Sequence, residues 1–157
     1  VPAPPLVDLS TIDLTAIAHD ATAVGQVNPQ AGDMRMLDHI IWISTDGCRC
    51  VGVKQVRHDE FWIPGHIPGR PLLPGVLMIE AGAQLASFMQ KNKYDRQGFL
   101  GFTRCDDTSF RGQVSPGDTL YVLGQEVEST ARRFISRVQG VVANRIVFES
   151  TVTGMIM

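Results

Sequence analysis

No stretch of this sequence stays apolar for more than four residues, as at residues 76–79. A membrane-spanning helix needs about 20, so no span is expected. Charge of one sign is also missing. Lys and Arg total 14 against 16 Asp and Glu, for a formal net charge of −2. That balance gives no general electrostatic footing for nucleic acid. Cysteine is scarce, with only Cys48, Cys50 and Cys105. An odd number at these spacings fits free thiols in a reducing compartment rather than a disulfide framework. Cys48 and Cys50 lack a second Cys or His pair at ligand spacing, so they read as strand thiols and no metal is expected. The chain does not open on a basic segment followed by an apolar run. No secretory signal is therefore expected, and the cytoplasm is the expected location.

What remains is the profile of one globular domain. The chain has 157 residues, 44% hydrophobic and 19% charged, enough to bury a sizeable core. Residues 1–33 read as an N-terminal extension: a Pro-rich lead, a short helix over 10–18 with Ser10 and Asp13 spaced like a capping box, and a loop over 24–33. Residues 34–157 read as one domain. The apolar, β-branched segment 37–44 is a strand. Asp46-Gly47 signals a hairpin, and 48–56 is the partner strand.

Residues 64–75 hold four prolines and three glycines, a composition that no regular helix or central strand accepts. A helix of about four turns is expected over 76–90, with Pro74 at its first position, where a missing N–H costs nothing. Strands are expected over 98–103, 108–114, 119–128, 133–142 and 145–157, the last two joined near Ala143-Asn144. The helix is apolar on all sides, so it is expected to be buried on most of them. One buried helix with about six antiparallel strands implies an α+β architecture, the sheet curling around the helix.

Two polar residues interrupt that helix. Glu80 and Gln84 are four apart and share a face. Glu80 is either a surface residue or a carboxyl at a cleft or interface, where acid–base work is done. The apolar residues flanking it favour the cleft. His66 lies in the Gly/Pro loop, which is stiff enough to hold a catalytic imidazole. Gly75 lies at the helix N-terminus, where free N–H groups favour an oxyanion. Glu80 is roughly 9 Å into the helix and His66 well before it, so a two-fold dimer would bring one chain's His66 to the other's Glu80.

The run His66-Ile67-Pro68-Gly69-Arg70-Pro71-Leu72-Leu73-Pro74-Gly75-Val76-Leu77-Met78-Ile79-Glu80-Ala81 resembles the signature of β-hydroxyacyl-acyl carrier protein dehydratases, the FabZ-type hot-dog proteins of fatty acid synthesis. Phe99-Leu100-Gly101, the segment from Phe110 to Asp118 and the early Leu37-Asp38 are similar to further family segments. The resemblance implies a hot-dog fold, a curled antiparallel sheet around the central helix, and a homodimer with its site shared across the interface, extendable to a hexamer. It implies His66 as catalytic base, Glu80 as its acidic partner and the Gly75 N–H as donor to the thioester carbonyl.

The implied substrate is a (3R)-3-hydroxyacyl chain on the phosphopantetheine of acyl carrier protein, dehydrated to the trans-2-enoyl product without a metal or organic cofactor. Glu80 favours the FabZ-like branch, because the related FabA-type enzymes carry Asp there. Gln84 is expected to orient the acid or close the helix–loop packing, and Phe99 and Leu100 to line the acyl tunnel. Arg70, Arg104 and Arg111 are candidate contacts for an acidic carrier protein.

The chain departs from the family pattern in three places. Residues 30–33 lack the usual His-Arg-Tyr/Phe-Pro stretch, Ile67 replaces Phe, and the segment between Gly101 and Phe110 is longer. These departures suit a specialised paralogue. The alternatives are a hot-dog acyl thioesterase and a non-catalytic acyl-thioester binding module.

Overall fold

In the computed structural model, which describes residues 3–157, helix α1 (Ala21–Val27) is followed by strands β1 (His39–Ile43) and β2 (Arg49–Gln55). Helix α2 (Gly75–Tyr94) and strands β3 (Leu100–Phe110), β4 (Thr119–Ser129), β5 (Arg133–Val142) and β6 (Arg145–Ile156) complete the order. The strands form one antiparallel sheet in the order β1-β2-β4-β5-β6-β3. Among the described residues no helix is long and apolar enough to cross a membrane.

The sheet curls around α2 because α2 has apolar surface on most sides. Met78, Ala81, Leu85, Ala86, Phe88 and Met89 are all buried, in one core with Ile40, Cys50, Leu120, Val138 and Phe148 from the strands. Gly82 permits the closest approach: a Cβ there would lie 2.7 Å from Val138 of β5. Pro74 stands one residue outside the helix, at its N-cap, rather than in the expected first position. At the other end Asp95 adopts the left-handed conformation, φ 45°, and Lys91 and Lys93 oppose the C-terminal dipole.

Three expectations are corrected. Residues 10–18 do not form a helix. Asp8 and Asp13 accept hydrogen bonds from Ser10 and Thr15 and hold the chain in turns, leaving a single 3-10 turn at Leu9–Thr11. The true helix in this region is α1, which overlaps the start of the expected loop. Asp20 caps it through the Ala23 N–H at 2.9 Å, and its Val24 is buried in the core. Finally, 98–103 and 108–114 are not two strands. One strand, β3, runs through, interrupted by irregularities between Phe102 and Arg104 and between Asp106 and Ser109; Asp107 sits at φ 49°.

The N-terminal segment covers what the helix does not. Leu6, Val7, Leu9 and Ile12 pack on the outer face of the sheet against Ile41, Val51, Val53, Leu123 and Val141. The amide of buried Gln139 clasps this strap, accepting from the Leu6 N–H at 2.8 Å and donating to the Pro4 carbonyl at 3.1 Å. A single bridge from His19 to Ile40 then blunts the free edge of β1. Removing the residues before His19 is expected to lower the melting temperature and promote aggregation. Burial of one aliphatic side chain such as Val7 stabilises by roughly 1.5–3 kcal/mol. Thermal unfolding with light scattering at matched concentration checks this; an unchanged melting temperature contradicts it.

At the β1–β2 hairpin, hydrogen bonds from the Ser44 hydroxyl (2.7 Å) and the Cys48 N–H (2.9 Å) hold the Asp46 carboxyl below its ordinary value of 3.8. A lowered folded-state value stabilises the fold above the unfolded value and ceases to as pH falls through the lowered one. The hairpin is therefore expected to loosen only below about pH 4, as an NMR titration of the Cys48 amide will show.

Candidate active site

His66 lies on the exposed loop before α2. Its main-chain N–H donates to the Trp62 carbonyl at 2.8 Å. Its ring is fixed by a 2.8 Å contact between Nδ1 and the Leu72 carbonyl. A carbonyl oxygen only accepts, so Nδ1 carries a proton, and in the neutral ring that tautomer leaves the lone pair on Nε2. The two arms that the ring joins are themselves anchored: the Leu73 N–H donates to Val114 at 2.8 Å, and the Arg70 N–H to Ile67 at 2.9 Å.

Gly75 is the first residue of α2, and its N–H belongs to the first turn, where no intrahelical acceptor exists. The residue has to be glycine for a steric reason. The Phe110 ring lies over the helix start, and a Cβ on Gly75 would come within 2.9 Å of it. Gly75→Ala is expected to displace this turn and lower turnover by roughly 10–100-fold with little change in melting temperature. Turnover at the parent's level contradicts that.

Glu80 is half-buried and lines a cleft of about 140 Å³. Ala83, Gln84 and Ser87 of α2 form one wall, Phe99, Leu100 and Phe102 a second, and Phe134, Val152 and Thr153 the floor. Glu80 Oε1 accepts from Gln84 Nε2 at 2.9 Å. The same amide nitrogen donates to the Met34 carbonyl at 2.7 Å, and Gln84 Oε1 accepts from the Met36 N–H at 3.0 Å. Gln84 therefore contacts the Glu80 carboxyl and ties Met34 and Met36 to the helix.

Of the residues read from the sequence, Glu80, Gln84, Phe99 and Leu100 meet in this cleft, whereas His66 and Gly75 are not among its walls. Sequence reasoning missed Gln30, Phe102 and the β5 and β6 residues. Phe134 and Val152 sit far from Glu80 along the chain, and only the strand order brings them under α2.

Two of the arginines are already engaged, Arg104 with Asp106 at 2.8 Å and Arg111 with Glu149 at 2.6 Å. Arg70 is exposed and makes no ion pair among the described residues. Cys50 is fully buried, and burial pushes its thiol up. Cys48 accepts from the Lys93 ammonium at 3.0 Å. No three His, Cys, Asp or Glu side chains gather at one place among the described residues.

A curled six-stranded sheet wrapped on one helix, with a carboxyl set in a cleft beside that helix, defines a hot-dog protein. The sequence matches the FabA-like domain family over residues 28–151. It is 40% identical over 119 residues to a 3-hydroxyacyl-[acyl-carrier-protein] dehydratase FabZ of Alkaliphilus metalliredigens, covering 74% of this chain and 78% of the relative. It is 38% identical over 125 residues to the FabZ dehydratase of Geotalea uraniireducens, covering 77% and 83%. Among solved structures, the dehydratase heterocomplex ApeI:P from Xenorhabdus doucetiae matches with a TM-score of 0.72 at 14% identity, over 85% of this chain and 90% of that one, a likeness of fold. The chain belongs to the FabA-like family and, within it, to the FabZ-type 3-hydroxyacyl-acyl carrier protein dehydratases, which are hydro-lyases.

Proposed function

We propose that this chain dehydrates (3R)-3-hydroxyacyl chains, held as thioesters on the phosphopantetheine of acyl carrier protein, to trans-2-enoyl thioesters in cytoplasmic fatty acid biosynthesis. The observation that carries this reading is the His66 Nδ1 bond to Leu72, which leaves Nε2 as a base within a motif that also supplies a cleft carboxyl. His66 Nε2 takes the proton from the carbon beside the thioester carbonyl. The Gly75 N–H donates to that carbonyl oxygen as negative charge develops on it. The electron pair closes the new carbon–carbon double bond, and the 3-hydroxyl leaves as water with the proton of the Glu80 carboxyl. His66 then holds one proton more and Glu80 one fewer, and exchange through the departing water resets the pair. The reaction needs no metal and no organic cofactor.

The working unit is a homodimer in which His66 and Gly75 of one chain face the cleft and Glu80 of the other. Two features support it. His66 and Glu80 do not share the cleft within one chain, and β3 is a free 11-residue edge with exposed Phe102 and Phe110, the kind of strand that pairs with a second copy. Of the three candidate arginines, the exposed Arg70 is the one without an ion pair among the described residues, and it is the candidate contact for an acidic carrier.

The test is turnover of a 3-hydroxybutyryl carrier-protein thioester, followed as conjugated enoyl product beside a thiol-release control. Enoyl product without thiol release is the expected result. Thiol release alone makes the chain a thioesterase. Binding without either product makes it an acyl-thioester binding module.

A further inference from the structure

Lys54 and Glu60 form an ion pair of 3.1 Å in which both side chains are only 3% exposed. Neither belongs to the cleft, and burying two charges is a poor device for stability, since a well-packed apolar pair does as well or better. What such a pair supplies is direction, and here its bonds lead to one place. Glu60 Oε2 accepts from the indole Nε1–H of Trp62 at 3.3 Å, while Oε1 also meets the Arg57 guanidinium at 3.2 Å. Trp62 is itself buried, and its main-chain carbonyl accepts from the N–H groups of Gly65 (3.3 Å) and His66 (2.8 Å). An unbroken series of bonds therefore runs from the end of β2, through a buried carboxylate and a buried indole, to the backbone of the imidazole. Between Trp62 and Leu73 no side chain is buried: residues 64–71 are all exposed, with Gly69 at φ +79°.

We infer that Lys54 and Glu60 are positioning residues for His66, setting through Trp62 where the imidazole stands relative to Leu72 and the substrate. This rests on the reading of His66 as the base. The pair fixes the indole, the Trp62 main-chain carbonyl fixes the turn, and the turn delivers the ring to the Leu72 carbonyl with Nδ1 protonated.

The experiment compares Lys54→Met/Glu60→Leu with Lys54→Met/Glu60→Gln, Trp62→Phe and His66→Ala. Turnover of 3-hydroxybutyryl carrier protein is measured with the melting temperature, and the His66 tautomer is read by 15N NMR of histidine-labelled protein. The Met/Leu variant replaces the pair by apolar groups; it is expected to lose at least about tenfold in kcat with KM little changed, and to show a mixed His66 tautomer. The Met/Gln variant keeps an acceptor for the indole and is expected to retain most of the kcat. Trp62→Phe removes the donor to Glu60 while keeping an aromatic ring and the main-chain carbonyl, and is expected to shift kcat and tautomer the same way, which settles the matter if the Met/Leu variant does not fold. A single, parent-like His66 tautomer in folded Met/Leu or Trp62→Phe protein overturns the inference whatever the activity. Full kcat in His66→Ala overturns instead the assignment of the base, leaving the tautomer result to judge the positioning.

Discussion

His66→Ala is expected to lower kcat by about 10²–10⁴-fold, the contribution of a positioned proton-transfer group, while the melting temperature barely moves. The ring is exposed and its one hydrogen bond, to Leu72, is worth only about 1 kcal/mol. Glu80→Gln is expected to cost a comparable factor, because it keeps the shape of the side chain and an oxygen for Gln84 but cannot release a proton to the leaving hydroxyl.

The two variants together test the architecture of the site. If each site takes His66 from one chain and Glu80 from the other, dissociating and re-mixing the two inactive proteins produces heterodimers with one intact site. Random assortment makes half of the dimers heterodimers with one site of two, so about a quarter of parental activity should return. Activity that stays at the level of the single variants after mixing means that each chain holds its own complete pair. The shared site would then be wrong even with both residue roles right.

Much of this was legible in the sequence because the relevant signals are local. The motif from His66 to Ala81 is contiguous, so the loop, the helix and the candidate residues could be read together. The β5–β6 hairpin shows both strand alternation and its turn at Ala143 and Asn144, which indeed adopt φ 49° and 62°. What stayed hidden depends on tertiary partners. Helix α1 contains Gly25 and has little propensity of its own; it exists because Asp20 caps it and Val24 finds the core. The irregularities of β3 looked like a break between two strands.

Lys54 was the least visible. Alternation along β2 places it on the same face as Cys50, which is in the core, while Val51 and Val53 face the strap. A lysine aligned with core residues was the signal. It passed unnoticed because a strand end is where a charged side chain usually reaches solvent.

Gln84 carries the second large effect, because one amide satisfies three otherwise unpaired groups. In Gln84→Leu the Met36 N–H, the Met34 carbonyl and Glu80 Oε1 all lose their partner, and the helix contributes nothing in return. An unsatisfied buried group costs about 1–3 kcal/mol, and the loop bearing Met34 can partly reach water, so a loss of about 2–4 kcal/mol in stability is expected from denaturant unfolding.

Gln84→Glu separates the roles. Its oxygen still accepts from Met36, but a second carboxylate now stands beside Glu80, and like charges favour the protonated form. The folded-state value of the pair rises, so this variant should be destabilised most at neutral and alkaline pH and recover towards the parent as pH falls and a shared proton replaces the lost N–H donor. Melting temperatures at pH 5 and pH 8 check the sign. If Gln84 only holds the loop, kcat per folded molecule will match the parent in both variants. If it aims the Glu80 carboxyl as well, kcat falls in both at unchanged KM, because the proton must arrive along one direction and the amide is what fixes it.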